Sequence, residues 1–163
     1  MTVTKAARII TRYLNQYLSK FDLTCFYGTD FSYYYLDNTI EFSLINDDNS
    51  WNFESFCREK APDIHADSFL YSIFHEIGHA ETGDDISDMD MNYSRDEKNR
   101  LAKELDLGKI DISVANRIYY NLPDEIAATE WALDYMRNNQ KEVKELWNKI
   151  QSILMKLYEG VEM

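Results

Sequence analysis

Cysteine occurs only twice in this chain, at Cys25 and Cys57. The two show no Cys-x-x-Cys spacing, and a zinc ribbon would need four such ligands. That pattern predicts free thiols in a reducing compartment. Basic residues are also in short supply: 17 Lys and Arg stand against 29 Asp and Glu, for a net charge of −12. A surface that grips phosphates needs clustered Lys and Arg, so direct nucleic-acid binding is not expected. An acidic surface remains compatible with a basic protein partner. No apolar run approaches 18 residues, and the first residues, Met1 to Arg8, hold no apolar signal core. A cytoplasmic, membrane-free protein is the expectation. There is no internal repeat, low-complexity tract or linker, so residues 1–163 read as a single domain. With 45% apolar and 14% aromatic residues, a packed core is expected.

Histidine is also scarce, with three in the chain. Two of them stand in His75-Glu76-Ile77-Gly78-His79, directly after the apolar run Phe69 to Phe74. In a helix, residues four apart share a face. Two imidazoles so placed can hold one zinc ion, and the Glu beside the first can reach a water on that ion. Asp67 is a suitable N-cap for this helix and Gly83 a suitable C-cap.

The flanking chain predicts an α+β fold. Val3, Ala6, Ala7, Ile10, Leu14 and Tyr17 recur at helical spacing, for a first helix over about residues 3–20. Phe31–Tyr35 and Thr39–Ile45 read as a β-hairpin around Leu36-Asp37-Asn38, with an earlier strand around Leu23–Tyr27. Ile40, Phe42 and Leu44 are expected to face inward, and Thr39, Glu41 and Ser43 outward. Residues 46–50 read as a loop, and Trp51–Ala61 as an ambiguous segment compatible with a short helix. After the motif, Asp88, Asp90 and Asn92 have calcium-loop spacing, but Tyr93 and Asn99 stand where that loop needs Gly and Glu. An acidic loop over the site is expected there. Ser94-Arg95-Asp96-Glu97 reads as a capping box for a helix that Gly108 ends. Helices follow over Ile112–Leu122, from Pro123 to about Arg137, and along the stripe Val143 to Tyr158. The expected whole is a zincin-like domain: a small antiparallel sheet on a mostly helical body, with the motif helix at its centre.

A catalytic zinc takes three protein ligands and leaves a position open. The pattern His-Glu-x-x-His-x-x-Gly-x-x-His is broken here by Thr82 and Asp85, and no His follows His79. A Glu from a later helix is the remaining common choice. Glu125 and Glu130 both qualify, and five residues apart they point about 140° away from each other. Glu125 shares its stripe with Ala128, Ala132 and Tyr135, and the two alanines suit close approach to the motif helix. Glu130 has Asp134 four residues on, the spacing of thermolysin-like enzymes.

The string Glu125-Ile126-Ala127-Ala128-Thr129-Glu130-Trp131-Ala132 reads E-x-x-A-x-x-W-A. With the first motif, including Gly78, it resembles the ImmA/IrrE family of small zinc-dependent peptidases, whose second motif is E-x-x-A-x-x-F-A. That family usually has Asn or Asp where this chain has Thr129, and often a Pro soon after, which residues 134–137 lack. The matching motifs cover about a dozen residues, and the likeness of fold covers about residues 3–137. The resemblance implies a zinc metallopeptidase with His75, His79 and Glu125 as ligands and Glu76 as general base. It also implies a specific, often regulatory, protein substrate, in the setting of a phage, mobile element or stress response. Tyr93, Tyr119, Tyr120 and His65 are candidates for a second donor to the reacting carbonyl. The alternative expectation is an inert or acidic zincin-fold protein acting by protein–protein contact, for instance as an antagonist of a DNA-binding protein.

Overall fold

A computed structural model describes residues 1–45 and 48–160, with the side chains of 48–51 outside that description. The described chain is mostly helical with one three-stranded sheet, an α+β fold. It forms two compact units, residues 1–45 with 136–163 and residues 46–135.

In the first unit, helix α1 (Val3–Leu18) starts at Thr2, whose hydroxyl accepts the Lys5 N–H at 3.1 Å. Its stripe Ala6, Ile10, Leu14 and Leu18 is wholly buried. Each of the larger members contributes about 1.5–3 kcal/mol by leaving water. Helix α7 (Gln140–Tyr158) packs on α1 and buries Val143, Leu146, Ile150, Ile153 and Leu154. Strand β1 (Thr24–Tyr27) is tied to α1 by the Cys25 N–H, which donates to Asn15 Oδ1 at 2.8 Å.

The sheet corrects the antiparallel expectation. Strand β2 (Ser32–Tyr34) does form a hairpin with β3 (Thr39–Phe42), turning at Asn38 with φ 52°. β3 is the middle strand, however, and β1 pairs with its other edge in parallel, Thr24 opposite Thr39. The reason lies in the link from β1 to β2. Rather than turning tightly, it wraps the carboxylate of Glu41: Oε2 accepts the Thr29 and Asp30 N–H groups at 2.8 and 3.0 Å, and Oε1 accepts the Tyr34 hydroxyl at 2.7 Å. Glu41 and Ser43, expected to face outward, are therefore buried with Ile40, Phe42 and Leu44. A Cβ on Gly28 would collide with the Glu41 side chain, which explains a glycine at that point of the link.

The second unit is all helical. α2 (Asp48–Lys60) begins before the segment expected to be ambiguous, so residues 48–50 are helix rather than loop. The rest of that expected loop, Asn46 and Asp47, lies outside the described residues. α3 (Ser68–Thr82) carries the motif and is buried from Ser68 to Gly78. Asp67 caps it, accepting the Phe69 N–H at 2.9 Å, and a 3₁₀ turn from Gly83 follows.

The expected acidic loop and the capping box at Ser94 are both overturned. Ser87 accepts the Asp90 N–H at 3.1 Å and starts helix α4 (Asp88–Asp106) seven residues earlier than Ser94. Ser94 is an interior helical residue and is buried. Asp88 and Asp90 in the first turn suit the positive end of the helix dipole. Gly108 ends the segment at φ 66°, as expected. α5 (Ile112–Tyr120) is capped by Asp111, and α6 (Pro123–Asn138) opens on its proline. Cys25 and Cys57 are buried free thiols, each pushed up to about 12 by burial. No described helix is long and apolar enough to cross a membrane.

Burial alone would raise the Glu41 carboxyl, but the hydrogen bonds from Asp30, Tyr34 and Thr29 outweigh it and hold it below its ordinary value of 4.5. A depressed folded pKa stabilises the fold above the unfolded value and is lost as pH falls through the folded one. Glu41→Gln is expected to lower stability at pH 7 by about 1–3 kcal/mol. The gap to wild type should close below pH 4.5 as the native carboxylate is protonated. Urea unfolding across pH 3–7 checks this, and a pH-independent gap would rule out the ionised carboxylate as the source.

Candidate metal centre

His75 and His79 lie one turn apart on α3, with ring centroids 4.6 Å from each other. Glu125, in the first turn of α6, reaches both. Its Oε2 is 2.7 Å from His79 Nε2, and its Oε1 is 3.4 Å from His75 Nε2. The donor atoms of the three residues all lie within 4.8 Å of one another. Glu125 and His75 are buried, while His79 keeps a partly exposed edge. Glu130 is exposed and is not part of the cluster. The structure thus brings together one of the two glutamates that spacing left open.

The approach of the two helices explains why. A Cβ on Gly78 would run into the backbone of Ala128, so α3 and α6 touch where a side chain is missing. His75 and His79 sit three residues before and one after Gly78. Glu125 and Thr129 sit three before and one after Ala128. In each helix those two positions form an i, i+4 pair on one side of the contact point. Closing the backbones at Gly78 and Ala128 therefore sets the two functional stripes against each other. Ala132 continues the small-residue face of α6 and is buried.

Thr129 completes the geometry. It is fully buried, and its Oγ1 lies 3.0 Å from His75 Nδ1. In the tautomer that donates from Nδ1 to this hydroxyl, Nε2 keeps its lone pair on the Glu125 side. Phe53 of α2 packs edge-on to the His75 ring at 4.8 Å, and Tyr120 of α5 lies 5.2 Å beyond it. These rings form an aromatic wall against the imidazole.

Glu76, one residue after His75, is buried at 8% exposure among these groups. Burial holds its carboxyl above the ordinary range, with the charge of Glu125 acting in the same direction and the two imidazoles and Lys98 against it. For His79, burial alone would lower the pKa. The hydrogen bond and charge of Glu125 outweigh that and push the imidazole up to about 9. The same pairing with His75 and His79 overcomes burial at Glu125 and holds its carboxyl well below 4.5.

Three further groups surround Glu125. The Lys98 ammonium of α4 is 2.7 Å from Asp124 Oδ2 and 3.5 Å from Glu125 Oε2. Asp124 Oδ1 is buried and has no hydrogen-bond partner among the described residues. Tyr119 hydrogen-bonds Glu125, and burial together with the Glu125 charge holds its hydroxyl far above the ordinary range. Of the four expected carbonyl donors, Tyr119 is therefore engaged with Glu125 and Tyr120 with the aromatic wall, while His65 and Tyr93 are exposed.

The cluster fits a metal ion by two measures. Two imidazole nitrogens and one carboxylate suit a divalent transition ion. Glu76, Asp124 and Glu125 set three carboxyl groups against one ammonium, Lys98, and Glu125 draws His79 toward its charged form, an excess of negative charge that a bound cation would offset. No family model, curated protein or solved structure matches this chain.

Gly78→Ala tests the helix contact. Alanine favours an isolated helix by about 1 kcal/mol, but overpacking against backbone costs about 1–3 kcal/mol or more. The variant is expected to unfold at lower denaturant and to retain less than half the metal of wild type by elemental analysis. Unchanged stability and metal content would mean that α3 and α6 do not meet at this point.

Proposed function

We propose that this protein is a zinc-dependent metallopeptidase of the ImmA/IrrE type that hydrolyses peptide bonds of a specific regulatory protein. One observation carries the reading: His75, His79 and Glu125 converge within 4.8 Å, with Glu76 buried one residue along from the first histidine. A site that only held a metal for structure would have no use for Glu76.

His75 Nε2, His79 Nε2 and a Glu125 carboxylate oxygen would hold the zinc. When bound, zinc supplies a Lewis acid that polarises a carbonyl and makes water far more acidic than its ordinary pKa of about 15.7. Glu76 takes the proton from the attacking water on its carboxylate and delivers it to the departing amine nitrogen. Thr129 Oγ1 fixes the ring of His75 through Nδ1, so that Nε2 faces the centre. The Tyr119 hydroxyl orients the Glu125 carboxylate. Phe53 and Tyr120 keep water from the buried side of His75.

The experiment pairs metal content with cleavage. Wild type is expected to carry about one zinc per chain. His79→Ala and Glu125→Ala are expected to lose it, and Glu130→Ala to keep it. No zinc in wild type after reconstitution would sink the reading. Glu76→Gln should keep zinc while cleavage of a proteome-derived peptide library, read by mass spectrometry, falls at least about a hundredfold. Cleavage by Glu76→Gln at the wild-type rate would remove Glu76 from its role.

A further inference from the structure

We propose that Lys98 is a positioning residue that competes with the metal ion for Glu125, and that Asp124 sets the strength of that competition. The inference rests on the reading of His75, His79 and Glu125 as a metal centre. Its basis is a chain of contacts. Glu125 Oε2 is the atom closest to His79, at 2.7 Å, and the Lys98 ammonium lies 3.5 Å from that same oxygen. The ammonium lies closer to Asp124 Oδ2, at 2.7 Å. One cation is thus shared between two adjacent carboxylates on the first turn of α6, one of which is offered to the histidines and one of which is not.

The sharing has a direction. Asp124 is 8% exposed and its Oδ1 has no other partner among the described residues, so Lys98 is the group that neutralises it. A buried carboxylate without its counter-ion is expensive. Asp124 therefore holds the ammonium back from Glu125. Lys98 itself keeps 29% of its side chain exposed and stands four residues along α4 from the buried Ser94. The ammonium also lies 5.1 Å from the centroid of the Tyr119 ring. Removing the lysine takes away a positive charge next to the metal position and leaves two carboxylates facing it, so the ion should bind more tightly. Removing the charge of Asp124 releases the ammonium onto Glu125, so the ion should bind more weakly. A lysine serving only to join α4 to α6 would predict the same direction for both changes.

The test uses the full-length protein stripped of metal with a chelator. Zinc affinity is measured by competition with a chromophoric chelator for wild type, Lys98→Met, Lys98→Arg and Asp124→Asn, and urea unfolding of each stripped protein is followed alongside. Lys98→Met is expected to bind zinc about tenfold more tightly than wild type, and Asp124→Asn about tenfold more weakly. Lys98→Arg should stay within about threefold of wild type. Stripped Lys98→Met should unfold at lower urea than wild type, with zinc restoring the difference. Unchanged or weaker binding by Lys98→Met, or shifts of the same sign in Lys98→Met and Asp124→Asn, would overturn the proposal while leaving the metal centre intact. If stripped Lys98→Met does not fold, Asp124→Asn decides alone, and unchanged or tighter binding there overturns it. A wild type that takes up no zinc removes the metal centre and this inference together.

Discussion

The candidate site depends on one close approach, the meeting of α3 and α6 where Gly78 leaves room for the backbone at Ala128. Helix axes usually pack 8–10 Å apart, and the distance depends on the side chains between them. Gly78 puts no side chain between the two helices, so the Ala128 backbone comes closer to α3 than a Cβ there would allow. Glu125 on one helix there reaches both imidazoles on the other. The spacing on both helices follows from this point: partners three residues before and one after it, on the same side. Loss of the close approach would move every contact of Glu125 and Thr129 at once, which is why Gly78 matters although it touches no ligand atom.

Two buried glutamates show how differently this chain treats charge. Glu41 is satisfied entirely by its own loop: two backbone N–H groups and a tyrosine hydroxyl surround both oxygens. Such an arrangement fixes a loop, and nothing in it is left over for another molecule. Around Glu125 the partners are two imidazoles, an ammonium and a phenol, and the adjacent Asp124 keeps one oxygen without a partner. Native proteins leave few buried polar groups unpaired, and one that remains calls for an explanation such as a catalytic role or a bound ion. The contrast sets a structural carboxylate apart from a candidate working one without any appeal to relatives.

Much of the candidate site was legible because it depends on local period. His75 and His79 four residues apart, the apolar run ahead of them and the Asp67 cap are all statements about one helix. Pro123, Gly108 and the stripes of α1 and α7 were equally readable. The choice between Glu125 and Glu130 needed the partner helix, because rotation on α6 alone leaves both faces open. Thr129 was visible as the fourth residue after Glu125, on the same face, but its meaning comes from His75, 54 positions earlier. Lys98 and Asp124 gave no signal, since a lysine in a polar helix and an aspartate after a proline are ordinary choices. The start of α4 was misread because two serines compete as caps: Ser94 has the better capping-box spelling, whereas Ser87 begins a longer helix that buries Ser94. The sheet was misread where burial overrode alternation, at Glu41 and Ser43, and in the parallel pairing of β1 with β3.

The acidity of the chain bears on the choice between a hydrolase and an acidic binding protein. A net charge of −12 spread over exposed positions confers solubility and, at most, attraction to basic partners. The carboxylates of Glu76, Asp124 and Glu125 are of another kind, because all three are buried. Taking them out of water is costly, and they cannot present charge to a docking protein from the interior. A fold used only as an acidic surface gains nothing from gathering three carboxylates and two imidazoles out of solvent around one lysine. A centre that binds a divalent ion does gain, because the charge it must neutralise has been assembled in advance. The burial of these groups, more than the motif that first drew attention to them, is what favours a metal centre over an acidic docking surface.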